Sequence, residues 1–186
     1  MSTGTHETEI KLAVAGAAGA RRLLRAAGFR VSCGRVFESN LVFDSEDLRL
    51  RRSSRLLRVR TAGRRVTVTF KGPPLPARHK VREEFETEAG DAGTLRSIFQ
   101  ELGYHPVFRY EKYRTEFRPA RGRGIAVLDE TPIGVYLELE GAAGWIDRTA
   151  RKLGFSESEY ITASYGRLYL GWCREQGRTP GDMVFD

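Results

Sequence analysis

Apolar and polar side chains alternate along much of this chain with a period of two. In residues 5–14, Thr8, Ile10 and Leu12 fall on one side and Glu7, Glu9 and Lys11 on the other. Successive side chains of a strand point to opposite faces, so the segment predicts a half-buried strand. The segments 56–61, 64–71, 80–88, 107–117, 124–129 and 133–140 read the same way, and 29–43 holds one or two strands around Cys33-Gly34. Ala62-Gly63 predicts a hairpin turn between 56–61 and 64–71. Gly72-Pro73-Pro74-Leu75-Pro76 cannot sit in a central strand and predicts a loop.

Helical spacing appears between the strands. Residues 16–28 predict a helix stopped by Gly28. Residues 91–102 place Leu95, Ile98, Phe99 and Leu102 on one face before Gly103. A short helix is expected over 44–52, capped by Asp44 or Ser45. Two more are expected over 141–154 and 161–175. About eight strands joined mostly by hairpins predict an α+β fold: a closed eight-stranded antiparallel β-barrel with helices packed outside it. Residues 1–176 form one expected domain, followed by a loose C-terminal tail at 177–186.

The polar face of these strands is unusual. Glu-x-Glu recurs at 7/9, 84/86 and 138/140, and basic-x-basic at 58/60 and 112/114. A sheet with one face in water gives the same alternation strand by strand. Same-sign pairs two residues apart repel, however, and gain nothing on a surface that needs only solubility. They suit an interior that holds partners of opposite sign. Carboxylates can hold a divalent cation through hard oxygen ligands, and Arg and Lys can hold phosphate oxygens. A charged interior with apolar residues outside reverses the usual small barrel.

Composition narrows the choice. With 186 residues, 40% hydrophobic and 30% charged, the chain fits one folded domain. Its net charge of +7 points to an anionic partner: nucleic acid, an acidic membrane surface or a polyphosphate. Cys33 and Cys173 lack metal or redox spacing, and no run approaches the ~20 apolar residues of a membrane span. The start, MSTGTHETEIK, has no apolar core of a signal peptide, so a cytoplasmic location is expected. The Gly16–Gly19 stretch lacks the Lys-Ser/Thr of a phosphate-binding loop. His6, His79 and His105 are scattered and suggest no catalytic triad, and His6 is expected on the face opposite Glu7. Trp145 and Trp172 are expected to pack helices.

The ordered set of motifs resembles the CYTH domain, also called the triphosphate tunnel metalloenzymes. Glu7-Thr8-Glu9-Ile10-Lys11 is similar to that family's ExExK signature. Residues 40–44 with 48–50, then 57–60, 69–72, 82–86, 112–114, 128–129, 134–140 and Ser164-Tyr165 follow in the family's order, covering roughly residues 5–170. The resemblance implies a tunnel in which Glu7, Glu9, Glu138 and Glu140, with Asp129 nearby, bind Mg²⁺ or Mn²⁺. It implies that Lys11, Arg58, Arg60, Lys71, Arg82, Lys112 and Arg114 bind a triphosphate. Glu9, Glu138 and Lys71 are the expected catalytic residues, and Glu84 and Glu86 are candidates for metal or water contact. The expected activity is metal-dependent hydrolysis of a triphosphate: inorganic tripolyphosphate, thiamine triphosphate or a nucleoside triphosphate. A class IV-type adenylate cyclase, making cyclic AMP and pyrophosphate from ATP, is the alternative. A non-catalytic module binding polyphosphate or nucleic acid is a third reading, carried by the Arg-rich runs 49–60 and 118–123. Those runs also fit a solvated basic face, so nucleic acid and membrane are not the expected partners.

Overall fold

A computed structural model describes residues 5–186. Its strands are β1 (Thr5–Val14), β2 (Phe29–Asp44), β3 (Leu56–Ala62), β4 (Arg65–Lys71), β5 (Lys80–Ala89), β6 (His105–Pro119), β7 (Ile125–Thr131) and β8 (Gly134–Glu140). They close into one antiparallel barrel in the order β1-β5-β4-β3-β2-β6-β7-β8. Five helices lie around it: α1 (Ala17–Ala26), α2 (Arg49–Arg52), α3 (Ala92–Glu101), α4 (Ala143–Lys152) and α5 (Tyr165–Glu175). The expected architecture is therefore the observed one. Among the described residues no helix is long and apolar enough to cross a membrane.

The hydrophobic core lies outside the barrel wall. Ile10, Leu12, Phe117, Leu128, Leu137 and Leu139 are buried against Leu24 of α1 and Ile146 and Ala150 of α4. Phe43, Val59 and Val66 pack under Leu95 and Phe99 of α3. Because the strand period is two, turning these residues outward turns their charged neighbours inward. Trp145 packs against the first cluster, as expected. It presses on the start of β7 so closely that a Cβ on Gly124 would lie 2.5 Å from its Cε2.

Several details differ from the sequence reading. β2, read as one or two strands, is one strand of 16 residues, with register shifts between Val31 and Val36 around Cys33-Gly34. α2 is a single turn whose N-cap residue is Leu48, in the left-handed conformation. Asp44 still serves its first turn, accepting from the backbone N–H groups of Leu50 and Arg51 at 2.8 Å. On α3, Leu95 and Phe99 pack inward, but Ile98 and Leu102 remain 47% and 67% exposed. The segment after Gly177, expected to be loose, docks on β6. Met183 is 1% exposed, and its N–H and C=O pair with Arg109 and Glu111.

Candidate active site

The inward side chains of the strands line a cavity of about 550 Å³. Glu7, Glu9 and Lys11 come from β1, Arg58 and Arg60 from β3, and Lys71 from β4. Arg82, Glu84 and Glu86 come from β5, Lys112 and Arg114 from β6, and Glu138 and Glu140 from β8. The alternation that suggested a charged interior is thus realised on neighbouring strands. β1 and β8 are adjacent, with Glu9 opposite Glu140 and Lys11 opposite Glu138.

Acids and bases interleave instead of segregating. Lys11 lies 3.3 Å from Glu9 and 3.2 Å from Glu138. Lys71 bonds Glu7 and lies 2.9 Å from Glu84. Arg114 bonds Glu138, and Arg60 lies 3.4 Å from Glu38. Arg58 donates to Thr69 at 3.0 Å and Tyr110 at 3.2 Å, while Thr69 donates to Glu86 at 2.7 Å. Arg82 reaches the cavity but spends its guanidinium on the carbonyls of Gly72 and Ser54, tying the loop after β4 to the turn before β3.

Asp129, expected near a metal, has a different placement. It is 0% exposed and is not part of the cavity wall. Lys112 at 2.7 Å, Arg114 through Nε and Nη2 at 2.8 and 2.7 Å, and the Tyr165 hydroxyl at 2.8 Å all donate to it. Its lone pairs are committed to orienting two cavity cations from behind. His6, expected on the opposite face, lies at the cavity rim.

These neighbours set the charge states. Burial alone would raise Glu9, but the ammonium groups of Lys11 and Lys80 hold it well below the usual carboxylate range. Burial opposes ionisation of Glu138 as well, yet Lys11 and Arg114 keep it strongly depressed. Glu7 goes the other way. Burial and a hydrogen bond shared with Glu84 push it up to about 8, despite Lys71. Burial together with Glu9 and Glu138 also raises Glu140. Tyr110 is lowered to about 8; burial would raise it, but Arg58 and Lys112 dominate.

Two residues that no sequence motif marked, Lys80 and Glu38, belong to this network, as does Asn40, which the motif at 40–44 included without a role. Lys80 bonds Glu9. Glu38, buried between Lys112, Arg114 and Arg60, is held at about 2 although burial opposes its ionisation, and its Oε2 has no hydrogen-bond partner. Asn40 accepts from Arg60 at 3.0 Å. Glu38 lies two residues before Asn40 on β2, a spacing visible in the sequence, but it has no same-sign partner to draw notice. The basic run 118–123 lies apart from the cavity, with Arg118, Arg121 and Arg123 exposed.

Hard-oxygen donors for a divalent cation are present. Glu140 forms no ion pair among the described residues, and Glu7 and Glu84 crowd together with only Lys71 between them. Among the described residues no group of three or more potential ligands is already assembled, because lysines and arginines stand between the acids. Glu7, Glu9, Glu138 and Glu140 fit a cation by chemistry and strand position, whereas buried Asp129 does not. A second cavity of about 950 Å³ adjoins the first and shares Leu56, Lys80, Arg82, Tyr110, Ser164 and Tyr165 with it.

Known proteins share this framework. A family model described as CYTH domain matches residues 5–165. A Methanocaldococcus jannaschii protein carrying the provisional name of an adenylate cyclase is 30% identical over 134 residues, 72% of this chain and 75% of its own. A Vibrio parahaemolyticus structure, likewise provisionally named, has a TM-score of 0.75 at 18% identity, covering 89% of this chain and 98% of that one. A Hippeastrum protein, provisionally an adenylyl cyclase and described as having a dominant triphosphatase activity, has a TM-score of 0.63. It is 19% identical and covers 94% of this chain and 97% of its own.

Proposed function

The chain belongs to the CYTH domain family, and from that membership we propose that it cleaves a phosphoanhydride bond of a triphosphate held inside the barrel, assisted by Mg²⁺ or Mn²⁺. The observation that carries this reading is the closed barrel with buried, inward Lys11, Arg58 and Lys112 and half-buried Arg114 facing Glu9 and Glu138. Buried charges are tolerated only when paired, and here each sign is paired with the other. A triphosphate offers the cations better partners, in particular the bidentate oxygens that Arg prefers.

Lys11, Arg58, Arg60, Lys112 and Arg114 bind the phosphate oxygens and hold the chain extended. As they turn to phosphate, Lys11 and Arg114 release Glu9 and Glu138, which join Glu7 and unpaired Glu140. When bound by these carboxylates, a divalent cation supplies Lewis-acid polarisation of the phosphoryl oxygens. Asp129 and Tyr165 keep Lys112 and Arg114 aimed as charge builds on the leaving group. Lys71 adds a further positive charge. Glu9 and Glu138, ionised because of their lysine and arginine neighbours, can each accept a hydrogen bond from the attacking water and orient it.

The test is tripolyphosphate hydrolysis with Mg²⁺ or Mn²⁺ by wild type and by Glu7→Gln and Glu9→Gln. A loss of at least about 100-fold in either variant is expected, the scale at which charge-stabilising groups act. Wild-type rates in both variants would remove the metal assignment. The cyclase reading is favoured by the cavity of about 950 Å³ beside the tunnel and by the name of the Methanocaldococcus relative. There the ribose 3′-hydroxyl would replace water as attacker, and pyrophosphate would leave. Products from ATP separate the two: orthophosphate with ADP for hydrolysis, cyclic AMP with pyrophosphate for cyclisation.

A further inference from the structure

A second cluster of charged side chains lies outside the tunnel, around Asp147 of α4. Asp147 is buried, and its carboxylate accepts from Nη2 of Arg78 at 2.7 Å and from the Tyr160 hydroxyl at 3.2 Å. Nε2 of His79, also buried, lies 2.7 Å from its Oδ1. An ionised carboxylate only accepts, so that ring nitrogen carries the hydrogen. Arg78 also reaches Glu157 at 2.9 Å, but both side chains are exposed, and such a pair holds little.

The cluster sits at a seam of the barrel. β5 begins at Lys80, opposite Glu9 of β1. One step further along β1, Lys11 pairs with Glu138 of β8 on one edge. Its other edge is taken by Ile161, which exchanges both backbone hydrogen bonds with Lys11 at 2.8 and 2.9 Å. Asp147 therefore binds the residue before Lys80, which is His79, and the residue before Ile161, which is Tyr160. Neighbouring side chains of an extended chain point to opposite faces. His79 turns outward to α4, and Lys80 turns inward to bond Glu9. Lys80 lines both the tunnel and the adjoining cavity, so its ammonium stands at the mouth between them.

We infer that Lys80 is a further phosphate-binding cation of the tunnel, and that Asp147, acting through His79, is the residue that positions it. This rests on the triphosphate reading of the tunnel. An ammonium on a flexible stem has no fixed direction of its own, so where it acts depends on where its backbone is held. Here the backbone is held one residue away, by a hydrogen bond shielded from competing water. Among the described residues the ion-pair partner of Lys80 is Glu9, and Lys11 shares that carboxylate. A phosphate oxygen therefore finds Lys80 only partly neutralised and can form a charge-assisted hydrogen bond with it.

A double-mutant cycle tests this, read by calorimetric binding of imidotriphosphate, a hydrolysis-resistant analogue of tripolyphosphate, with Mg²⁺. Lys80→Met should weaken binding at least about 10-fold, the scale of a lost hydrogen bond between charged groups. Asp147→Ala should weaken it at least about 5-fold in the wild-type background and less than about 2-fold once Lys80 is Met, because a residue acting through another is not additive with it. Equal weakening by Asp147→Ala in both backgrounds would mean a merely structural role and would overturn the positioning. The His79 variants carry the same question even if Asp147→Ala does not fold. His79→Gln, whose amide can donate from the place of Nε2, should stay within about 2-fold of wild type, whereas His79→Leu should lose at least about 5-fold. Equal losses in the two would also overturn the positioning. Unchanged affinity in Lys80→Met would overturn the inference and leave the triphosphate reading standing. Failure of wild type to bind imidotriphosphate would remove that reading, and this inference with it.

Discussion

Asp129 shows how one residue can govern a site it does not line. It gathers Lys112, Arg114 and Tyr165 at 0% exposure, so removing its charge leaves two buried cations short of a partner. Asp129→Asn should lose about 3–5 kcal/mol of stability, the range for breaking a buried pair on one side. A denaturation midpoint within error of wild type would contradict that. Glu7 makes a pH-dependent prediction. Its folded value of about 8 lies above the ordinary 4.5, so the folded state holds a proton that the unfolded state releases between those limits. Its contribution to stability is complete below pH 4.5 and is lost as pH rises through about 8. Glu9 and Glu138 are depressed and act with the opposite sign, their contribution vanishing only in acid. Comparing wild type with Glu7→Gln, free of metal and phosphate, isolates the first effect. The thermal midpoint of wild type should fall relative to the variant from pH 5 to 8, and parallel curves would contradict the assignment.

At the level of elements, Gly124 fixes where α4 meets β7. Its φ of +149° and the 2.5 Å approach of Trp145 leave no room for a side chain. Gly124→Ala should cost about 1–3 kcal/mol, the usual range for overpacking, measured by chemical denaturation. An unchanged midpoint would mean that α4 can shift freely. The strands were readable because each buries one apolar face, as Ile10 and Leu12 do beside Glu9 and Lys11. Same-sign pairs then pointed to the interior. β2 was harder because residues 30–36 are exposed or half-buried on both faces and carry no clean alternation. Lys80 escaped notice because its role depends on a cross-strand partner, Glu9, 71 residues away in sequence. The docking of Met183 on Arg109 and Glu111 uses backbone groups, which leave no trace in side-chain patterning. The short helix was found through Asp44, yet its true cap position at Leu48 depends on a left-handed backbone that leucine rarely adopts.

Across the whole molecule, the interior is a network of mutual neutralisation. Phosphate alone must pull cations from carboxylates, leaving those acids crowded; a divalent cation alone must do the converse. The two ligands should therefore assist one another. Mg²⁺ should tighten imidotriphosphate binding by about 5–150-fold, and the ligand should tighten Mg²⁺ equally, because binding coupling is reciprocal. Independent titrations with no mutual effect would contradict the network as drawn. The way the cylinder shuts has a further consequence, for biogenesis. The first strand hydrogen-bonds to Lys80–Ala89 on one side and Gly134–Glu140 on the other. During translation one of its edges must stay unpaired until the later neighbour leaves the ribosome, with Ile10 and Leu12 only partly covered meanwhile. Such distant pairings make assembly slow and leave nascent chains prone to sticking. A cell making this protein quickly would need chaperones to shield that leading segment until the last one arrives.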